Sequence, residues 1–139
     1  MLCVIRTVND VTMRTSFFSF VALSFFMVGQ ALATELIMVE QKGCHYCQKW
    51  LAEIGPIYSK TPEGAFAPLR MVNIADGPPA DVKFARKPVF TPTFILVDGG
   101  EEIGRIEGYP GEDFFWGLLE MMLKAKTSYV KPDGTAASN

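Results

Sequence analysis

The stretch TPTFILVDGGEEIGRIEGYPG, residues 91–111, leaves little choice of local fold. Phe94 to Val97 is an apolar run of β-forming residues. Asp98-Gly99-Gly100 is a turn rich in glycine, the residue that accepts positive φ, and Glu102 to Glu107 is a returning strand. A hairpin of this kind commits the chain to a sheet with antiparallel strands, and the rest of the sequence must supply what covers it.

ELIMVEQ, 35–41, is a short apolar run and reads as a buried strand. A helix is expected from Cys44, where Tyr46, Trp50, Leu51 and Ile54 recur at three- and four-residue spacing. Gly55-Pro56 should kink or end it, and Ile57 and Tyr58 extend it by one turn. SKTPEGAFAP, 59–68, is expected to be a loop from its proline and glycine. LRMVNIA, 69–75, reads as a second strand, with Leu69 and Met71 alternating against Arg70, Val72 and Ile74. DGPPADVKFARKP, 76–88, starts as a turn and is expected to hold a short helix over 80–86. In GEDFFWGLLEMMLKAKT, 111–127, acids open and lysines close an amphipathic helix, as the helix dipole favours. Phe115, Leu118, Leu119 and Met122 are expected to face the sheet. From Ser128 the chain is polar and is expected to be loose. The order predicts an α/β fold: a four-stranded mixed sheet flanked by helices, with a parallel first pair joined by a right-handed crossover.

Residues 1–33 are set apart as a secretory signal. Arg14, with Arg6 upstream, supplies the positive region, Ser16 to Val28 the apolar region, and Ala31-Leu32-Ala33 the cleavage site. The apolar run of about 13 residues is short of the roughly 20 that span a bilayer. Either Met1 or Met13 serves as initiator. The expected organisation is a signal at 1–33, one domain at 34–127 and a flexible tail at 128–139, with the product exported to the periplasm. The signal carries Arg6, Arg14, Asp10 and Cys3. Of 13 basic and 15 acidic residues, 11 and 14 then remain, a net charge of −3 with no basic patch. Nucleic acid is therefore not an expected partner.

Loss of Cys3 leaves Cys44 and Cys47 as the only thiols, with His45, the chain's one histidine, between them in KGCHYCQKW. A structural zinc site needs four ligands, and only these three residues are on offer, with His45 adjacent to Cys44. A purely structural disulfide closes a four-residue loop, so its entropic gain is small. A redox pair accounts for the placement best. Residues i and i+3 share a helix face at a separation a disulfide accepts. Cys44 lies where a strand ends and a helix begins, and free N–H groups there favour a thiolate. Cys47, one turn inside, is shielded. An unperturbed imidazole is partly charged near neutral pH, so His45 is read as tuning Cys44 toward a more oxidising poise. Tyr46, inside the motif, is placed with His45 as a tuning residue; it and Tyr109 are also candidate groove residues, with packing the equal or better reading for each. No cofactor is expected beyond the Cys44–Cys47 disulfide, and no metal. Two alternatives stay open: an oxidant that introduces disulfides, and a copper or zinc delivery module without turnover.

The strand LIMVEQ, the motif Cys44-His45-Tyr46-Cys47 at a helix start, and the later TPTF before a strand resemble the thioredoxin family over roughly residues 35–125. GCHYCQKW, TPEGAFAPLR and PVFTPTFILVDGGEEIGRIEGYPGEDFFW together resemble the small periplasmic members encoded with bacterial sulfur-oxidation genes. The resemblance implies a minimal thioredoxin fold and thiol–disulfide oxidoreductase activity. It implies a cis Thr91-Pro92 bond facing the disulfide, with the Thr91 backbone pairing with a bound substrate strand. It also implies a client protein carrying a cysteine or disulfide, such as a sulfur-oxidation carrier protein, a membrane thiol-electron donor, and a monomer. One position departs from the family. Six residues before the first cysteine, where an acid is common, stands Met38, and Glu40 is the nearest carboxylate, so the sequence leaves the proton acceptor for Cys47 open, with water able to serve.

Overall fold

The protein, seen in a computed structural model, is described over residues 33–132. The expected signal at 1–33 lies outside these residues except for Ala33, and the expected tail does so from 133 onward. Four strands and four helices follow one another: β1 (Glu35–Glu40), α1 (His45–Glu53), α2 (Gly55–Tyr58), α3 (Pro62–Phe66), β2 (Leu69–Asn73), β3 (Thr93–Asp98), β4 (Glu101–Glu107) and α4 (Glu112–Lys126). The sheet order is β2-β1-β3-β4. β1 and β2 are parallel, and β1–β3 and β3–β4 are antiparallel. This is the four-stranded mixed sheet flanked by helices that the pattern predicts.

The hairpin forms as expected. Gly99 and Gly100 both have positive φ, 59° and 81°, the backbone that a two-residue turn between right-twisted strands requires. The pairing steps by one residue between Leu96 and Val97, so Ile103 bulges from β4. Gly104 follows the bulge, and a Cβ there would come within 2.8 Å of the Met122 sulfur. The glycine lets α4 lie close on the strand.

β1 and β3 are buried on both faces, which explains their nearly unbroken apolar runs. On one face Leu36, Met38, Phe94 and Leu96 pack with Cys47, Trp50, Ile54 and Tyr58 from the first two helices and with Phe115, Leu119 and Leu123 from α4. Trp50 is the hub, with ring centroids 5.2 Å from Phe94 and 5.5 Å from Phe115. On the other face Ile37, Val39, Ile95 and Val97 pack with Val82, Phe84, Val72 and Ile74.

Five local details differ from the expected pattern. Residues 62–66 are helical, not loop. The Thr61 hydroxyl caps the turn by accepting from the Gly64 N–H at 3.0 Å, and Pro62 occupies the first turn, where its missing N–H costs nothing. The helix expected over 80–86 is absent. Lys83 donates its N–H to the Gly100 carbonyl at 2.8 Å and accepts from the Glu102 N–H at 3.0 Å, so its backbone pairs sideways with β4 instead of along a helix. On α4 the buried positions are Phe115, Leu119 and Leu123, a strict four-residue spacing; Leu118 is exposed, whereas Met122, partly buried, packs on the sheet against Gly104 as expected. On β2, an edge strand, Met71 faces solvent. Finally, the chain just beyond α4 is held: Tyr129 is buried against Phe66 at 5.2 Å, and Lys131 reaches Glu120 at 2.7 Å.

Candidate active site

Gln41-Lys42-Gly43 turns the chain out of β1, with Gly43 at φ 81° and the Cys44 N–H bonded to the Gln41 carbonyl at 3.2 Å. Cys44 is the N-cap of α1. Its Sγ accepts the Cys47 backbone N–H at 3.1 Å, as a serine or aspartate oxygen does at other helix starts. Cys44 and Cys47 are joined in a disulfide with Cα atoms 5.2 Å apart. Cys44 keeps 8% of its surface and Cys47 only 2%. Both belong to the apolar core that contains Trp50 and Phe94. A thiolate formed at Cys44 has a directed N–H donor, whereas the apolar bed under Cys47 disfavours charge.

The other site residues expected from the sequence divide. His45 and Tyr46 are exposed, and their rings meet edge to face with centroids 5.5 Å apart. Met38 is fully buried. Glu40 is half-buried at the end of β1. The Thr91-Pro92 peptide is cis. Pro92 is buried and Thr91 half-buried. The β1–β3 register pairs Val39 with Thr93; continued by one step it sets Pro92 level with Glu40, at the end of the sheet from which the cysteine turn departs.

Tyr109 does not line an open groove. It is 6% exposed, and its hydroxyl donates to Glu53 Oε2 at 2.6 Å. Burial, reinforced by the Glu53 carboxylate, raises its phenol above the ordinary range. Its neighbour Gly108 donates its N–H to the Pro92 carbonyl at 2.8 Å. Two features were missed from the sequence. One is this link from α1 through the loop after β4 to Pro92. The other is the exposure of Val89 and Phe90, 68% and 61%, just before the cis bond. The apolar character of VF was visible; its exposure follows only from the tertiary path. Among the described residues, no group of three or more His, Cys, Asp or Glu side chains is arranged to hold a metal ion.

A disulfide at a helix N-cap, at the end of a minimal thioredoxin sheet to which the register also brings a cis-proline, defines a thiol–disulfide oxidoreductase of thioredoxin-like fold. The chain belongs to the thioredoxin-like family. It is 48% identical to the periplasmic thioredoxin SoxS from Paracoccus pantotrophus, whose crystal structure is of the reduced form. That match spans 66% of this chain and 96% of the other, with a TM-score of 0.64. A thioredoxin of Malassezia sympodialis, Mala s 13, matches at 19% identity over 66% of this chain and 79% of that one, with a TM-score of 0.48. No family model and no curated protein matches the chain.

Proposed function

We propose that this protein is an exported reductase of client-protein disulfides, with Cys44 as nucleophile and Cys47 as resolving thiol. The observation that carries the assignment of roles is the 3.1 Å hydrogen bond from the Cys47 N–H to Cys44 Sγ, together with the deeper burial of Cys47. The Cys44 thiolate attacks one sulfur of the client disulfide. That S–S bond breaks, the departing client sulfur takes a proton from solvent, and a mixed disulfide with Cys44 remains. Cys47 loses its proton and attacks Cys44 Sγ, which releases the second client thiolate to be protonated and leaves Cys44–Cys47 oxidised. The client gains two electrons and two protons. A membrane thiol donor returns both to the pair. No further cofactor takes part.

Export to the periplasm is supported by the signal pattern at 1–33 and by the periplasmic origin of SoxS. The likeness to SoxS, with the sequence resemblance, supports a client in sulfur oxidation, a carrier protein whose cysteine must be kept reduced. Thr91 presents its backbone to the client strand, Pro92 holds the loop against the disulfide, and His45 and Tyr46 border the entrance.

The test is trapping. Cys47→Ser should accumulate a mixed disulfide through Cys44 with a client protein, and Cys44→Ser should not. Equal trapping in both variants, or in neither, overturns the assignment. Equilibration with glutathione fixes the direction: a reductase should lie near the roughly −270 mV of cytosolic thioredoxin, and a value near −120 mV would make it an oxidant.

A further inference from the structure

Val39, the last apolar residue of β1, lies on the face of the sheet turned away from the disulfide, and its ladder partner is Thr93, the residue after Pro92. Beyond Val39 lies a cavity of about 410 Å³, lined by Ile74, Phe84, Pro78 and Pro88 and by the cations Arg86 and Lys87. It is at the small end of ligand pockets, with room for one or two apolar side chains. It exists because the segment 76–88 crosses this face as an irregular strap of turns and bends and not as a helix.

The strap is fixed before anything binds. Glu102 Oε2 accepts the Ala85 N–H at 2.8 Å, and Arg105 Nη2 donates to the Arg86 carbonyl at 2.8 Å. The Arg105 and Glu102 side chains that do this are themselves 7% and 6% exposed. A preformed wall lowers the ordering cost of binding. The charges in the lining differ. Arg86 is neutralised by Glu107 at 2.9 Å, whereas Lys87 meets no carboxylate among the described residues.

Pro88 in the lining leads through exposed Val89 and Phe90 to Thr91-Pro92. Four residues span at most about 14 Å, so cavity and cis-proline loop lie within reach of one short peptide. In an extended peptide, side chains alternate between opposite faces. A client cysteine turned to Cys44 therefore turns its neighbours toward the cavity side.

We infer that this cavity anchors the polypeptide client: an apolar client side chain enters it, and an adjacent client carboxylate pairs with Lys87. This rests on the client-reductase reading above and names what the site recognises in the client sequence.

Reduced protein is assayed with synthetic peptide disulfides carrying a Leu-Glu, Leu-Lys or Ser-Ser pair within four residues of the cysteine, on either side. Uncharged 2-hydroxyethyl disulfide is the control that needs no anchor. In its favoured placement, the Leu-Glu peptide should show a KM about tenfold below that of Ser-Ser, with kcat unchanged. Ile74→Trp, which fills the cavity, should erase that advantage. Lys87→Glu should raise KM for Leu-Glu and lower it for Leu-Lys. Both variants should reduce the control at the parent rate. Should Ile74→Trp fail to fold, the Lys87→Glu charge swap decides alone. Equal KM values for all peptides, or indifference of the Leu-Glu KM to the folded variants, overturns the anchor while leaving the reductase reading intact. Loss of that reading shows separately, as turnover that survives Cys44→Ser. Octanoate bound in the cavity without any peptide preference would mark a site for small amphiphiles and overturn the client anchor as well.

Discussion

The Tyr109 hydroxyl donates a 2.6 Å hydrogen bond to Glu53 Oε2, so the loop after β4 is tied to the last turn of the helix that carries both cysteines. The same loop holds the Pro92 carbonyl through Gly108. A hydrogen bond to a charged acceptor is worth more than a neutral one, but Glu53 is 38% exposed and solvent screens part of it. Tyr109→Phe keeps the ring and removes the bond. It should cost about 1 kcal/mol, seen as a fall in Tm of about 4–8 °C for a domain of this size. Amide exchange at Gly108 should speed up more than exchange at Ile95. An unchanged Tm would mean that water replaces the bond without loss.

The tyrosines also set an alkaline limit. Tyr58 is buried, donates to the Ala67 carbonyl at 2.8 Å, and is pushed above its ordinary value near 10.0 by burial and then by Glu63. Tyr109 is raised in the same direction, again by burial first. A raised folded-state pKa means that above pH about 10 the unfolded chain releases a proton the folded chain keeps. The stability these phenols contribute is fully present below pH 10 and is lost as pH rises beyond it. Urea midpoints should therefore fall more steeply above pH 10 in the parent than in Tyr58→Phe/Tyr109→Phe. Parallel slopes would count against both assignments.

The Arg105–Glu102 pair, with Nε to Oε1 at 2.6 Å, fastens the strap over the second face of the sheet. Glu102→Ala leaves a buried guanidinium with Glu107 at 3.5 Å as its one carboxylate partner, and frees the Ala85 N–H. Breaking a buried pair from one side costs about 3–5 kcal/mol; the second carboxylate puts the expectation at the lower end, about 3. Arg105→Met/Glu102→Leu, which removes both charges, should recover most of the loss in chemical denaturation. Failure of the double variant to recover would mean that the strap depends on the hydrogen bonds to 85 and 86, not on the burial of charge.

Much of this was legible because its cause is local. Gly99-Gly100 between two β runs, the acids and lysines at the ends of α4, and two cysteines at a strand–helix junction each act within a few residues. The misses have the opposite character. Pro62 and Gly64 look like breakers, yet one fits a first helical turn and the other a close approach. The spacing of 80–86 allowed a helix, but β4 competed for the Lys83 backbone and won. Leu118 and Leu123 differ by which side of α4 the sheet takes, which no single-helix pattern fixes. At the site, the cysteines were readable from their spacing. The Glu53–Tyr109 bond joins residues 56 apart, and the cavity beside Val39 exists only once the strap is laid down.

Gly64 is the sharpest steric test of that reading. A Cβ at this position would run into the backbone carbonyl of Tyr58 and lie 3.1 Å from its ring. The carbonyl also accepts the Thr61 hydroxyl at 2.7 Å, so it cannot swing aside without uncapping α3. Alanine would ordinarily favour a helix over glycine by about 1 kcal/mol. Here Gly64→Ala should instead destabilise by about 2–3 kcal/mol, measured as a lower urea midpoint at unchanged m. A neutral or stabilising result would show that α3 shifts freely on α2.

His45 bears on the direction of electron flow. Its ring is exposed beside Tyr46, so whatever charge it carries acts on Cys44 through solvent. An exposed positive charge one residue from Cys44 would stabilise a thiolate there and hence the reduced pair, which raises the potential. Removing it in His45→Ala should make the Cys44–Cys47 couple more reducing. The shift should stay under about 30 mV, because 30 mV already corresponds to about 1.4 kcal/mol, more than exposed pairs supply. At 1 M salt, where the Debye length is about 3 Å, the difference between parent and variant should vanish. A shift that persists in high salt would instead assign His45 a role in positioning Cys44 at the helix N-cap.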